Sequence, residues 1–388
     1  MTGRGIDHVL PHPGHPELHQ PNGLKADDYV RKAEAINGPI PAPQDYSAIW
    51  GDALTEWEKR RSDVKIVNLE TAVTTSDDYW PKKNFHFRMH PDNTPCLKAA
   101  GFDCCVVANN HVLDWGYRGL AETLDTLRQA GIPTVGAGID DRTAAEPAVL
   151  ELGGGRRVLI FAWAHHSSFT PKPWAAAPDR GGVNLLNDYT PPTVATIKNQ
   201  VEAVKREKDI VVASIHWGRN WEYAVGYRQR QFAHRLIDEV GVHVVHGHST
   251  HHPITMEVYR NRPILYGCGD FINDYEGVAA YRQHRPDLGI MCFLRLQVPG
   301  GRLLNLTLVP MQCRGFRLRR ATRAAAQWLC DTLNRGGIPV PLKVKLKRWS
   351  RLRRTRFNCR WELQQDNTVR IVPRGPSLWP ASRWNESR

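Results

Sequence analysis

Residues 209–252 read DIVVASIHWGRNWEYAVGYRQRQFAHRLIDEVGVHVVHGHSTHH, and this stretch decides the architecture. The run Ile210-Val211-Val212-Ala213-Ser214-Ile215 is short, apolar and rich in β-branched residues, which predicts a buried strand delivering His216, Trp217 and Gly218 at its carboxyl end. A helix over Gln229 to Val240 follows, with Phe232, Leu236 and Val240 on one face. A second short strand, Val242 to Val245, runs into Gly247-His248-Ser249-Thr250-His251-His252. Ligands of open α/β sheets bind beyond the carboxyl ends of strands, so these two exits can gather imidazoles around one point, a candidate metal centre.

Working outward, the same strand-then-polar-exit pattern recurs. Val64 to Val67 reads as a strand leading into Asn68-Leu69-Glu70-Thr71, where Glu70 is either a helix cap or a hard oxygen ligand for a divalent cation. Cys104 to Ala108 reads as a strand that opens into Asn109-Asn110-His111 before a helix over Gly119 to Ala130, a placement suited to an oxygen ligand beside an imidazole. Val158 to Ala164 is another strand, with His165 and His166 at its exit, either belonging to the same site or serving substrate contact or packing. The glycines of 131–138 do not open a helix, so they do not form a dinucleotide-binding loop. Residues 167–192 read as a long loop, and Thr193 to Lys208 as the helix that returns to the opening stretch. Beyond it, Met256–Tyr259 and 263–266 read as a hairpin, and 290–298 with 302–310 as an antiparallel pair.

Composition bounds the remaining choices. With 388 residues, 41% hydrophobic and 23% charged, the chain is expected to pack a core and not to be disordered. No apolar run is long enough to cross a bilayer, and the first 20 residues contain no apolar segment of an export signal, so a cytoplasmic location is expected for the chain as written, membrane association being the other setting. Eight scattered cysteines without a C-x-x-C pair favour reduced thiols in a cytoplasmic setting over a disulfide framework. The net charge of +13 is concentrated at the carboxyl end, where residues 302–388 carry 20 Lys and Arg against 4 Asp and Glu. Three segments are expected: 1–311 as the main domain, 312–340 as a helical segment, and 341–388 as a basic, poorly ordered extension. Residues 8–45, rich in His and Pro, read as an irregular surface excursion.

These residues resemble the capsule-synthesis CapA/PgsA family. The likeness covers about residues 1–335 and is carried by VNLETAVT at 67–74, FRMHP at 87–91, AGFDCCVVANNHVLDWGYRGLAETLDTLRQAGIPTVGAG at 100–138, SIHWGRNWEY at 214–223, VHGHSTHHP at 245–253 and EVYRNRPILYGCGDF at 257–271. The resemblance implies a calcineurin-like metallophosphatase fold, an α/β (α+β) four-layer β-sandwich flanked by helices. It also implies two divalent ions (Mn, Fe or Zn) held by Glu70, Asn110, His216, His248 and His251, with His111 as the catalytic proton donor. Arg4, Asn109, Arg88, Trp217 and His252 are then expected around an anionic substrate, an Arg fork suiting carboxylate or phosphate. The expected activity is hydrolysis of a phosphoester in the service of anionic-polymer synthesis of the poly-γ-glutamate type. Membrane-associated synthesis machinery is the expected partner, and nucleic acid is not. The family pattern begins with a strand ending in Gly-Asp ahead of a Met-x-x-Arg segment, which Met1 and Arg4 match. That first strand and its metal-ligand Asp are therefore expected to be missing, which leaves a catalytically impaired binding or accessory protein as the alternative. The 248–252 segment also replaces the family's Gly-His-His-Pro-His, keeping the i, i+3 spacing of His248 and His251.

Overall fold

A computed structural model describes residues 1–336 and 359–373 as a mixed α/β fold. Its central sheet follows the order Leu185–Leu186, Arg157–His165, Ile210–His216, Val244–His248, Arg262–Leu265, Met256–Tyr259, with Ala148–Glu151 added beside Arg157–His165. The first five of these strands are mutually parallel, whereas Met256–Tyr259 returns antiparallel as a hairpin. Every residue of Ile210–His216 is buried, because both faces of the sheet are covered. Val211, Ala213 and Ile215 pack under Val194, Ile197, Phe232 and Leu236 of the flanking helices, while Val212 and Val244 face the other side and its larger core. A parallel strand covered on both faces reads as an unbroken apolar run, and that is how this one was legible.

A smaller parallel sheet carries Ile66–Asn68, Cys104–Val106 and Thr134–Val135. A third, antiparallel sheet is built on the long strands Leu288–Leu296 and Leu303–Arg314.

The structure differs from the sequence expectations in four places. The strand expected at 242–245 runs instead over Val244–His248, because parallel pairing with Ile210–His216 continues residue by residue to His216 opposite His248. Where a helix was expected from residue 312, the long strand continues to Arg314 and turns through the fully buried Phe316 into Arg317–Arg320. The helix begins only at Arg323–Asn334, with Thr322 accepting from the Ala325 amide as its cap. Within the extension expected to be poorly ordered, Cys359–Leu363 and Val369–Pro373 form a hairpin on the third sheet. There Trp361 and Val369 pack against Leu329 and Leu333, an apolar set masked in the sequence by the surrounding basic residues. The parts of that extension at 341–358 and 374–388 lie outside the described residues. Finally, residues 8–45 contain the helix Ala26–Asn37, and Leu10, Leu18, Tyr29 and Ala33 are buried rather than part of a surface excursion. Among the described residues no helix is long and apolar enough to cross a membrane.

Among the described residues, Ile66–Asn68 pairs only with Cys104–Val106, and Leu288–Leu296 only with Leu303–Arg314. Both strands line one cavity of about 910 Å³, together with Trp57, Val212, Val244 and Phe271. Met1 also lines it, its amino group donating to Ile272 O at 2.9 Å.

Candidate metal centre

In-register parallel pairing places His216 and His248 side by side, since partners on adjacent strands lie about 4.8 Å apart and point to the same face. Their Nδ1 atoms approach to 2.7 Å, one donating to the other. His216 Nε2 lies 3.0 Å from Asn110 Oδ1 and 3.7 Å from Glu70 Oε1. The second oxygen of Glu70 accepts from Asn68 Nδ2 at 3.1 Å, and His248 Nε2 lies 3.0 Å from Ser214 Oγ. Four strand exits therefore converge through direct polar contacts. Gly247 permits the close packing behind them, because a Cβ there would stand 2.4 Å from Tyr266 O and 2.6 Å from Trp217 Nε1. The loop then passes through Ser249 at φ 114°, a region rarely adopted by residues with side chains, and is tied down by Ser249 Oγ donating to Gly218 O at 3.0 Å.

The electrostatics follow from burial. Removal from water lifts the Glu70 carboxyl to about 7, the His251 imidazole opposing and Asp270 adding to the shift. Burial also pushes His216 and His248 well below the usual imidazole range, so both are neutral at pH 7. His251 moves the other way: burial lowers it, yet Asp270 at 3.0 and 3.1 Å from its Nδ1 wins and raises it.

His111 sits beside the cluster. Its backbone amide donates to Asn109 Oδ1, its ring stacks on Phe87 at 3.7 Å, and its Nδ1 lies 2.6 Å from Asp114 Oδ2. Lys83 reaches the same place, with Nζ 2.6 Å from Asp114 Oδ1, 3.1 Å from His111 Nδ1 and 2.7 Å from Phe85 O. Burial, reinforced by the Lys83 cation, holds His111 far below its ordinary value.

The expected substrate-side residues are otherwise engaged. Arg4 is buried in an ion pair with Asp274 and lies between the Tyr29 and Phe87 rings, 4.2 Å from each. Arg88 covers Trp115 at 3.9 Å and donates to Ser76 O and Asp77. Trp217 is fully buried and donates to Tyr266 O, so it belongs to the core behind the strands. Asn109 donates to Asn68 Oδ1 and Leu69 O, clasping two strand exits. His252 packs tilted against Tyr223, ring centroids 3.9 Å apart, with its Nε2 buried, and burial takes it down to about 3.

Three residues near the centre were not anticipated. Asp114, three residues after His111, and Asp270, in a loop after a strand, had a legible signal in their spacing. Lys83 had none, lying in an irregular stretch before FRMHP.

The donor set of imidazole, carboxylate and amide oxygen has the chemistry of a site for borderline divalent ions, and its imidazoles are in the neutral form that coordinates. As placed, however, these side chains satisfy one another, and among the described residues no group of three or more His, Cys, Asp and Glu stands ready to hold an ion. Occupancy would require the His216–His248 contact to open.

An α/β fold whose polar groups gather at neighbouring strand exits defines the class, a metallophosphatase-like domain. The family model described as bacterial capsule synthesis protein PGA_cap matches residues 1–275, and the chain belongs to that family. It is 42% identical over 374 residues to a probable polyglutamine synthesis accessory protein of Mycobacterium tuberculosis, spanning 96% of this chain and 94% of that protein. It is 28% identical over 216 residues to the PGA biosynthesis protein CapA of Bacillus subtilis, covering 55% of this chain and 54% of that one. The capsule biosynthesis protein CapA of Bacillus anthracis is 27% identical over 218 residues, covering 55% and 51%. The expected family and fold class are thus borne out, as is the setting of capsule and polyglutamate synthesis.

Proposed function

We propose that this chain is an accessory protein of poly-γ-glutamate-type polymer synthesis that works as a metal-dependent phosphoester hydrolase alongside membrane-associated synthesis machinery. The observation that carries this reading is the meeting of Glu70, Asn110, His216 and His248 from four strand exits. Glu70, Asn110, His216, His248 and His251 would hold two divalent ions, which supply charge stabilisation and an activated hydroxide when bound. His111 is held by Asp114 through Nδ1, leaving the unprotonated Nε2 of its neutral ring to orient the substrate, or to take a proton from the attacking water and pass it to the leaving oxygen. Asp270 fixes the His251 ring, as a carboxylate commonly does for a ligating imidazole. The relatives' names, which place them in polyglutamine and PGA synthesis, support an anionic polymer or its precursor as the substrate class.

A second reading, a binding protein without turnover, is favoured by the closed His216–His248 contact. Metal analysis of purified protein and turnover of phosphodiester and phosphomonoester substrates with added Mn, Fe or Zn separate the two. Metal uptake with turnover supports the hydrolase. Metal uptake without turnover favours the binding reading, and neither reading survives if no metal binds and deletion of the gene leaves surface polymer unchanged.

A further inference from the structure

The third sheet presents a face of one charge. Leu303–Arg314 turns through Gly315 and Phe316, both at positive φ, into Arg317–Arg320, and pairing sets Arg314 opposite Arg317 and Gln312 opposite Arg319. Opposed residues of an antiparallel pair point to the same side, as do residues two apart along a strand, so Gln312, Arg314, Arg317 and Arg319 share one face. The three arginines are exposed, and among the described residues none of them has a carboxylate partner. Arg320, on the opposite face, has one in Glu56. Like charges directly opposite each other destabilise a strand pair, so the hairpin is held by other means. Phe316 is fully buried, and Glu276 accepts from both turn amides, Gly315 at 3.0 Å and Phe316 at 2.9 Å.

Beside this face lies a cavity of about 290 Å³ lined by Arg282, Arg285, Gln312 and Arg314, with Tyr275 on its wall. Its two carboxylates are already engaged. Asp287 accepts from two Arg285 nitrogens at 2.8 Å and from Gln312 at 2.7 Å, while Glu276 holds the turn. Arg282 is exposed and, among the described residues, also lacks a carboxylate partner. Tyr275 meets the His251 ring edge-on with centroids 5.4 Å apart, so the cavity adjoins the candidate centre.

We propose that the Arg314, Arg317 and Arg319 face and the cavity beside it bind a chain of carboxylates, the anionic polymer itself, as a subsite outside the metal centre. Every cation on this face and in this cavity is an arginine, whose planar fork takes a carboxylate through two parallel N–H donors. Arg317 and Arg319 repeat at a spacing of about 7 Å along one strand, an array that suits a polymer of repeating charge better than a single ion. Nucleic acid fits poorly, because the face presents no aromatic side chain on which a base could stack. A lipid surface fits poorly as well, because the face has no apolar side chain to insert. The choice of ligand rests on the polymer-synthesis role proposed above, whereas the basic face stands on its own and lies beyond residue 275, where the family match ends.

The test is the binding of fluorescein-labelled poly-γ-glutamate to the full chain, followed by polarisation without added metal. Arg314→Gln/Arg317→Gln/Arg319→Gln is expected to weaken binding at least about 10-fold, three exposed pairs being lost together. Arg118→Gln/Arg156→Gln/Arg228→Gln removes the same charge from exposed positions elsewhere and should stay within about twofold of the parent chain at physiological ionic strength. The urea midpoint of the hairpin variant should not fall, since opposed like charges are relieved. His216→Ala should bind polymer as the parent does, so a failed metal centre and a failed subsite give different results. Phenylglyoxal footprinting of the unsubstituted chain needs no variant, and polymer should shield Arg314, Arg317 and Arg319 from modification. Reactivity of these arginines unchanged by polymer, or equal losses in the two triple variants, would overturn the proposal. So would displacement of the label by single-stranded DNA or phosphatidylglycerol vesicles at a lower concentration of charge than unlabelled poly-γ-glutamate requires.

Discussion

Replacing His216 with alanine is expected to abolish the divalent-ion binding proposed for the strand exits, with affinity falling at least about 100-fold. His216 is the hub of the cluster, touching Asn110, Glu70 and His248 from a strand position that pairing in register fixes opposite His248. No neighbouring donor can take its place, because His248 is held on its own strand and His251 is turned toward Asp270. Asp270→Asn is the graded comparison: it leaves every proposed ligand in place but weakens the group that aims His251, so a loss of about 10- to 100-fold is expected. Isothermal titration with Mn and Zn reads both variants, and circular dichroism establishes that each is folded. An affinity for either ion in His216→Ala equal to that of the parent chain would remove the centre from these strand exits.

The parts of this architecture that were legible in sequence are those where local pattern and tertiary role agree. Ile210–His216 is apolar throughout because it is covered on both faces, so period and burial gave the same answer. The Asn109-Asn110-His111 exit was legible for a related reason, since polar residues directly after an apolar strand have few structural roles to fill. What escaped was set by contacts distant in sequence. The hairpin 359–373 is anchored by Trp361 and Val369 against Leu329 and Leu333, and nothing in its basic surroundings announces that partner. Lys83 is meaningful only because folding brings it against Asp114 and His111, 28 and more residues away. The engagement of Arg4 and Arg88 was illegible for the same reason. An arginine beside a candidate site reads as an anion binder until its carboxylate and aromatic partners are known.

Arg4 and Asp274 form a buried ion pair whose disruption is expected to cost much of the fold's stability. The two side chains are almost completely buried, with Arg4 Nε donating to Asp274 Oδ2 at 3.0 Å and a second guanidinium nitrogen bonded to Oδ1. Burial alone would lower the Arg4 value, but Asp274 overrides it and the guanidinium stays charged. Asp274→Ala therefore strands a cation among Tyr29, Phe87 and Tyr275, and also leaves the Gly5 amide without its acceptor. A loss of about 3–5 kcal/mol is expected, read as a lower urea midpoint at unchanged slope. The double variant Arg4→Met/Asp274→Leu removes both charges and keeps apolar volume, so it should be more stable than Asp274→Ala despite carrying two substitutions. That ordering separates an ion pair needed to neutralise a buried charge from one that merely fills space, because lost packing alone would make the double variant the weaker of the two.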